Sequence, residues 1–319
     1  MMTNVDGWLL LPRLRVQNAN AISGPFSWGF PAPSAFTGFV HALSRRLPDI
    51  DDEPVTLEGV GIICHAFEPQ IGDGYVKSFS LTRNPVDQQG SPTPFVEEGR
   101  VHLEVSLLIG VRGEGVAGAN EEELTEQTSA LAELLQTQRL AGGTVLPISS
   151  RNQPELIQAG STEKRLKKLK RRLMPGFALV ERSDRLHQQL IELQEKFPEA
   201  TALDALLGAS ALHWDCIVEE TENGKQTVDW RVRPRSGWVV PLPVGYRAIS
   251  PLHAAGEVLN ARDNETPFRF VESLYSLGEW VSPHRIQELE QFLWHHRAEP
   301  ETGIYRCINH YTFKEIDHV

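Results

Sequence analysis

Val101, Leu103, Val105, Leu107 and Ile109 alternate with His102, Glu104 and Ser106, the two-residue period of a half-buried β-strand. Residues 8–16, rich in Leu and Val, predict an earlier strand, and residues 57–67 another. Pro12 argues against a central place for the first, because proline donates nothing to the hydrogen-bond ladder. Phe36, Phe39, Val40 and Leu43 recur at helical spacing and predict a helix over 34–47, with Ser34 as its N-cap behind Pro33. A second helix opens at Asn120. Glu121, Glu122 and Glu123 sit in its first turn, where the helix dipole favours acids, and Leu124, Leu131, Leu134 and Leu135 give it an apolar face. Gly142 and Gly143 close it, and residues 144–148 predict a short fourth strand. The order strand, helix, strand, strand, helix, strand is α+β and ferredoxin-like. RNA-recognition domains share this pattern, but it also hosts many unrelated functions.

Residues 68–100 separate the second and third strands. They form a long insertion rich in glycine and proline that carries Lys77, Phe79, Arg83, Asn84 and Gln88. From about residue 160 the composition changes. Residues 161–212 read as helical, with DRLHQQLIELQEKF as an amphipathic segment, and 218–227 as a polar loop or hairpin turn. The last third opens with GWVVPLPVGY, holds Trp238, Trp280 and Trp294, and predicts a helix over 283–297 beginning at Pro283.

Composition narrows the classes. The 319 residues suffice for one or two domains, with hydrophobic and charged contents of 40% and 23% that are ordinary for a globular protein. No apolar run approaches the roughly 18 residues of a membrane span, and the first residues lack a basic region followed by an apolar stretch. Cys64, Cys216 and Cys307 are far apart, which suits buried, inert thiols in a reducing cytoplasm rather than a disulfide framework or zinc site. The net charge of −11 opposes indiscriminate coating of nucleic acid. Positive charge is instead concentrated in KRLKKLKRR, residues 164–172, whose leucines recur at helical spacing. The run fits either a solvated helix face or a surface for RNA, DNA or an acidic partner.

The densest candidate chemistry lies between residues 13 and 30. Arg13, Arg15, Gln17, Asn18 and Asn20 follow the apolar start of the first strand, and Ser23, Gly24, Trp28, Gly29 and Phe30 follow them. Guanidinium groups grip phosphates, amides bond base edges, and exposed rings stack on bases, so the set points to single-stranded nucleic acid. An ordinary strand-to-helix turn with Trp28 and Phe30 in the core fits the same residue types. Arg139 and the pair Gly142 and Gly143 offer amides for close approach to a phosphate or ribose, or a plain helix C-cap; without GKS or GKT they are no P-loop. His295 and His296 adjoin, with His284 and His310 nearby, but adjacent helical side chains diverge by about 100°, and no HExxH or Cys-rich partner appears. No nucleophile or acid pair stands out, so neither catalytic residue nor cofactor is expected. His41 stands alone as a general-base candidate.

The segments LLLPRLRVQNANAISGPFSWGFPAPSAFTGFVHAL, SFSLTRNP, VEEGRVHLEVSLLIGV, RLAGGTVLP, GWVVPLPVGY and NARDNETPFRFVESLYSLGEWVSPHRI resemble those of the 5′-handle-binding subunits of type I-F (Csy) CRISPR surveillance complexes, members of the RAMP superfamily. The resemblance implies a ferredoxin-like core over 1–155 with a thumb inserted at about 68–100, a mainly helical insertion over 156–235, and a C-terminal region, 236–319, packed on the core. It also implies a non-catalytic protein that binds the 5′ handle of CRISPR RNA. Such a protein pairs with the large subunit, meets the first backbone subunit, and reaches target DNA through the assembled complex. On this reading Arg13 and Arg15 neutralise phosphates, Gln17, Asn18 and Asn20 read bases or riboses, and Trp28 or Phe30 offers a stacking surface beside Ser23. Arg139, Gly142 and Gly143 form the glycine-rich loop, Arg83 holds the strand leaving along the thumb, and Arg262 and Arg269 are secondary candidates. A metal-independent ribonuclease using His41, and a scaffold that never touches RNA, are the competing readings.

Overall fold

The computed structural model describes residues 5–47, 54–83, 85–220 and 226–311. In chain order the strands and helices are β1 (Gly7–Asn20), β2 (Ile22–Gly24), β3 (Ser27–Trp28), α1 (Pro33–Ser44), β4 (Thr56–Pro69), β5 (Leu81–Arg83), β6 (Phe95–Glu97), β7 (Arg100–Arg112), α2 (Glu114–Gly118) and α3 (Glu121–Gln136). Then follow β8 (Arg139–Leu140), β9 (Gly143–Val145), β10 (Glu155–Gln158), α4 (Glu163–Arg172), β11 (Phe177–Glu181), α5 (Ser183–Lys196), α6 (Ala202–Ser210), β12 (Trp214–Glu220), β13 (Gln226–Val232), β14 (Trp238–Ala248), β15 (Val271–Val281), β16 (Leu293–Glu299) and β17 (Ile304–Asn309). The architecture is α+β, built on one large antiparallel sheet. Among the described residues no helix is long and apolar enough to cross a membrane.

β1 is central, paired with β7 along one edge and with β10 and β9 along the other. Proline is tolerated there because the ladder is interrupted between Leu11 and Leu14. A second interruption lies between Val16 and Ala19. Each inserts one extra residue, with Arg13 at φ 49° and Asn18 at φ 56°. The two bulges keep the period in phase, so Leu9, Leu11, Leu14, Val16, Ala19 and Ala21 all join one core. An unbroken two-residue period would have turned Leu14 and Val16 to the opposite face. On that opposite face Trp8 and Leu10 join a second core, and beyond them come the polar residues Arg13, Arg15, Gln17 and Asn18.

α1 and α3 both contribute to the first core, through Phe36, Phe39, Val40 and Leu43 and through Leu124, Leu131 and Leu135. α1 is capped differently from expectation: Ala32 takes the N-cap position, and Pro33 presets the first turn. Asn120 does cap its helix, accepting the Glu123 N–H at 3.0 Å while Glu123 accepts that of Asn120 at 2.8 Å. The four strands β9, β1, β7 and β4 are neighbours in that order. The free edge of β4 receives β16 at Val60 and Gly61 and β11 at Ile63 and Cys64, and β17, β14 and β15 complete a ring between them.

Three predicted elements are corrected. Residues 283–297 are not a helix: two short 3-10 turns lead into β16, because Leu293 and Trp294 are buried and pair with the edge of β4. Residues 161–212 are not wholly helical, since β11 joins the sheet between α4 and α5. Gly142 and Gly143 do not close α3, which ends at Gln136; they belong to the hairpin of β8 and β9. Within 218–227, β12 and β13 pair as a hairpin whose turn lies outside the described residues. Cys216 on it is exposed, against expectation. Cys64 and Cys307 are more enclosed, and burial pushes their thiols up to about 12 and about 11, which leaves them inert.

Candidate nucleic-acid interface

The polar end of β1 is tied to the glycine turn by backbone bonds. Val16 and Gln17 pair with Val145 and Thr144, and the Asn20 N–H donates to the Ala141 carbonyl at 2.8 Å. Ala141 and Gly142, at φ 50° and 75°, make the tight turn between β8 and β9. Gly143 is required by contact: a Cβ there would lie 2.7 Å from the Ala19 nitrogen and 2.8 Å from the Gln17 carbonyl oxygen. One end of the sheet therefore gathers Arg15, Gln17 and Asn18 with Arg139, and all four side chains are exposed.

Other predicted residues have work within the fold. The Arg13 guanidinium pairs with Glu104 on β7, and its second nitrogen reaches the Met174 carbonyl at 3.4 Å. The Asn18 N–H donates to His102 Nδ1 at 3.1 Å. The Asn20 side chain bonds both the N–H and the carbonyl of Ile22, each at 3.0 Å, and so fixes the turn into β2. The Ser23 and Ser27 hydroxyls lie 3.0 Å apart across the β2–β3 hairpin. Trp28 is 52% exposed and meets Phe79 edge-on at 5.3 Å, which brings the inserted segment against this hairpin. Phe30 is no free stacking surface: it stacks on Phe36 at 5.5 Å and meets Trp280 at 4.8 Å. Arg83 lies in β5 opposite Phe95, while its side chain, with Asn84, lies outside the described residues. Arg262 and Arg269 belong to the 249–270 loop between β14 and β15, outside this group. Arg269 donates to the Pro300 carbonyl at 3.4 Å, and Arg262 is exposed.

Two features escaped the sequence reading. The Ser106 hydroxyl is fully buried, accepts the Arg13 N–H at 2.9 Å and lies 2.6 Å from His65 Nε2, while His65 Nδ1 lies 2.6 Å from the Pro175 carbonyl. Burial, with the Arg13 charge beside it, pushes the His65 imidazole below its ordinary pKa. The neutral ring thus ties the first bulge to the loop after α4. The second feature is a cleft of 590 Å³ lined by Phe26, Trp28, Phe67, Phe177, Trp238 and Trp280. Its aromatics come from five separate parts of the chain, so no local spacing announces it.

His41 stands elsewhere. It shares a pocket of 180 Å³ with Glu58, Gly59, His295 and His296. Glu58 pairs with Gly110, which pairs with Trp8, so this pocket lies by the start of β1, away from Asn18 and the glycine turn. Among the described residues no group of histidines, cysteines or acids is arranged to hold a metal ion.

The chain is 50% identical over 318 residues to the CRISPR-associated protein Csy2 of Pseudomonas aeruginosa (strain UCBPP-PA14), with 96% of each chain covered. A family model described as CRISPR-associated protein (Cas_Csy2) matches residues 9–307. Nearly the whole sheet lies inside that match, and the chain belongs to the Csy2 family of CRISPR-associated proteins, subunits of the type I-F Csy complex.

Proposed function

We propose that this chain holds the 5′ handle of a CRISPR RNA at the β1–glycine-turn end of its sheet, without making or breaking a bond. The observation that carries the reading is the joining of Gln17 and Asn20 to the hairpin that holds the Ala141–Gly143 turn, with Arg15, Asn18 and Arg139 exposed there and Trp28 exposed on the next hairpin. Exposed guanidinium, amide and indole groups on a rigid strand suit phosphates, base edges and base faces of a single strand. The order β9, β1, β7, β4, with α1 and α3 on one face, supports a ferredoxin-like core, and the segment between β4 and β7 is the thumb on this reading. The place of His41, away from the glycine turn, runs against the ribonuclease reading.

The same reading pairs the chain with the large subunit, capping a complex that recognises invading DNA. The β12–β13 hairpin supports such a partner. Trp214, Cys216 and Val218 pair with Val232, Trp230 and Val228, and all six lie exposed on one face. A lone two-stranded ribbon with an apolar face is marginal in water until another surface covers it.

The test is handle-RNA binding by the chain in complex with its large subunit. Arg15→Ala combined with Asn18→Ala weakens binding about tenfold or more, as loss of one charged and one polar contact implies. Unchanged affinity refutes the site.

A further inference from the structure

We propose that α4 is a docking strip for the phosphate backbone of double-stranded DNA, a second nucleic-acid surface distinct from the RNA site. α4 carries seven cations and one acid in ten residues, in a chain of net charge −11. At 3.6 residues per turn, Lys164, Lys168 and Arg171 fall within an arc of about 60°, centred opposite Leu166, Leu169 and Leu173. The leucines pack into the second core, so the cations point outward, and all three are exposed.

Their neighbours are already engaged. Arg172 pairs with Glu155, Lys167 with Glu163 at 2.6 Å, and Lys170 donates to the carbonyls of Ile286 and Gln287, near Glu288 and Glu290. Among the described residues, Lys164, Lys168 and Arg171 pair with no carboxylate. α5 shows what an ordinary solvated face looks like in this chain: Asp184, Arg185, Glu192, Glu195 and Lys196 mix both signs. α4 keeps one sign along about 10.5 Å of helix.

The ligand class follows from what the strip lacks. Its outward face holds no aromatic ring to stack on a base and no amide to read one, unlike the end of β1. A single strand would find no partner for its base faces, whereas a duplex keeps those faces stacked inside and presents its phosphates outward, where a row of cations meets them.

The experiment uses the chain within its assembled, guide-loaded complex, and a labelled 30-base-pair duplex unrelated to the guide. Lys164→Glu, Lys168→Glu and Arg171→Glu together lower duplex affinity at least about tenfold at low salt and make the salt dependence shallower by about three, one per lost phosphate contact. Lys164→Arg, Lys168→Arg and Arg171→Lys together preserve both. Guide content, subunit stoichiometry and handle-RNA affinity stay unchanged in either variant, which separates this proposal from the handle site. Unchanged duplex binding overturns it. Release of guide RNA or of a subunit by the charge-reversed variant also overturns it, because the strip would then face RNA or an acidic protein.

Discussion

The strands β9, β1, β7 and β4 and the strands β11, β14, β15, β16 and β17 share one sheet but are held by different physics. In the first group apolar side chains dominate both faces: Leu9, Leu11, Leu107 and Ile109 on one and Trp8, Leu10 and Leu108 on the other. In the second, Arg182 and Glu279 are an ion pair 4% and 3% exposed, and buried Glu181 accepts from Arg306 at 2.7 Å and from the Asn309 N–H at 3.1 Å. The ladder of β14 shifts register between Pro243 and Gly245, and a Cβ at Gly245 would lie 2.0 Å from the Tyr305 carbonyl oxygen. Apolar periodicity specifies the first group locally. The second is specified by partners far along the chain, each of which must be present.

The sharpest way to break this contrast is to remove one buried charge. Glu279→Ala removes the buried carboxylate beside Arg182, leaves the more exposed Asp184 in place, and costs about 3–5 kcal/mol in urea denaturation. Leu107→Ala, fully buried in the first group, costs about 2–5 kcal/mol by cavity formation in the same assay. If the charge proves the lesser loss, the contrast fails. Gly143→Ala presses on the backbone of Gln17 and Ala19, costs about 1–3 kcal/mol, and weakens handle binding because the turn shifts away from β1.

Acidity acts on both groups together. His65 and His295 are each held below the ordinary histidine value chiefly by burial. The unfolded chain therefore binds more protons than the folded one in that range. Stability is retained above the ordinary value and lost as pH falls below it, so the melting temperature drops between pH 7.5 and pH 5.5. A flat profile would show that neither ring is buried neutral. The smallest effect is on Cys216, whose thiol reacts readily with a maleimide in the free chain while Cys64 and Cys307 do not. Protection of Cys216 on assembly marks the hairpin face as covered; equal reactivity leaves that face outside the subunit contact.

This contrast also explains what the sequence revealed. The alternation from Val101 to Ile109 and the helical spacing from Phe36 to Leu43 are local, and both elements form where they point. Residues 283–297 misled because a run of buried apolar residues around Trp294 suits a helix as well as an edge-pairing strand, and only β4 and β17 decide between them. The polar residues after Pro12 pointed to a nucleic-acid surface, but not to which of them the fold leaves exposed. The two bulges decide that Arg15, Gln17 and Asn18 face outward while Arg13 turns to Glu104. The link from His65 to Ser106 joins residues 41 positions apart, beyond any local pattern.

The central claim is that the bulged end of β1 holds RNA. Photo-crosslinking of a guide carrying thio-uridine along its 5′ handle, within the assembled complex, tests it directly. Adducts are expected on this chain within residues 15–28 and 139–144. Handle adducts confined to other subunits, or to this chain's His41 pocket, would contradict it.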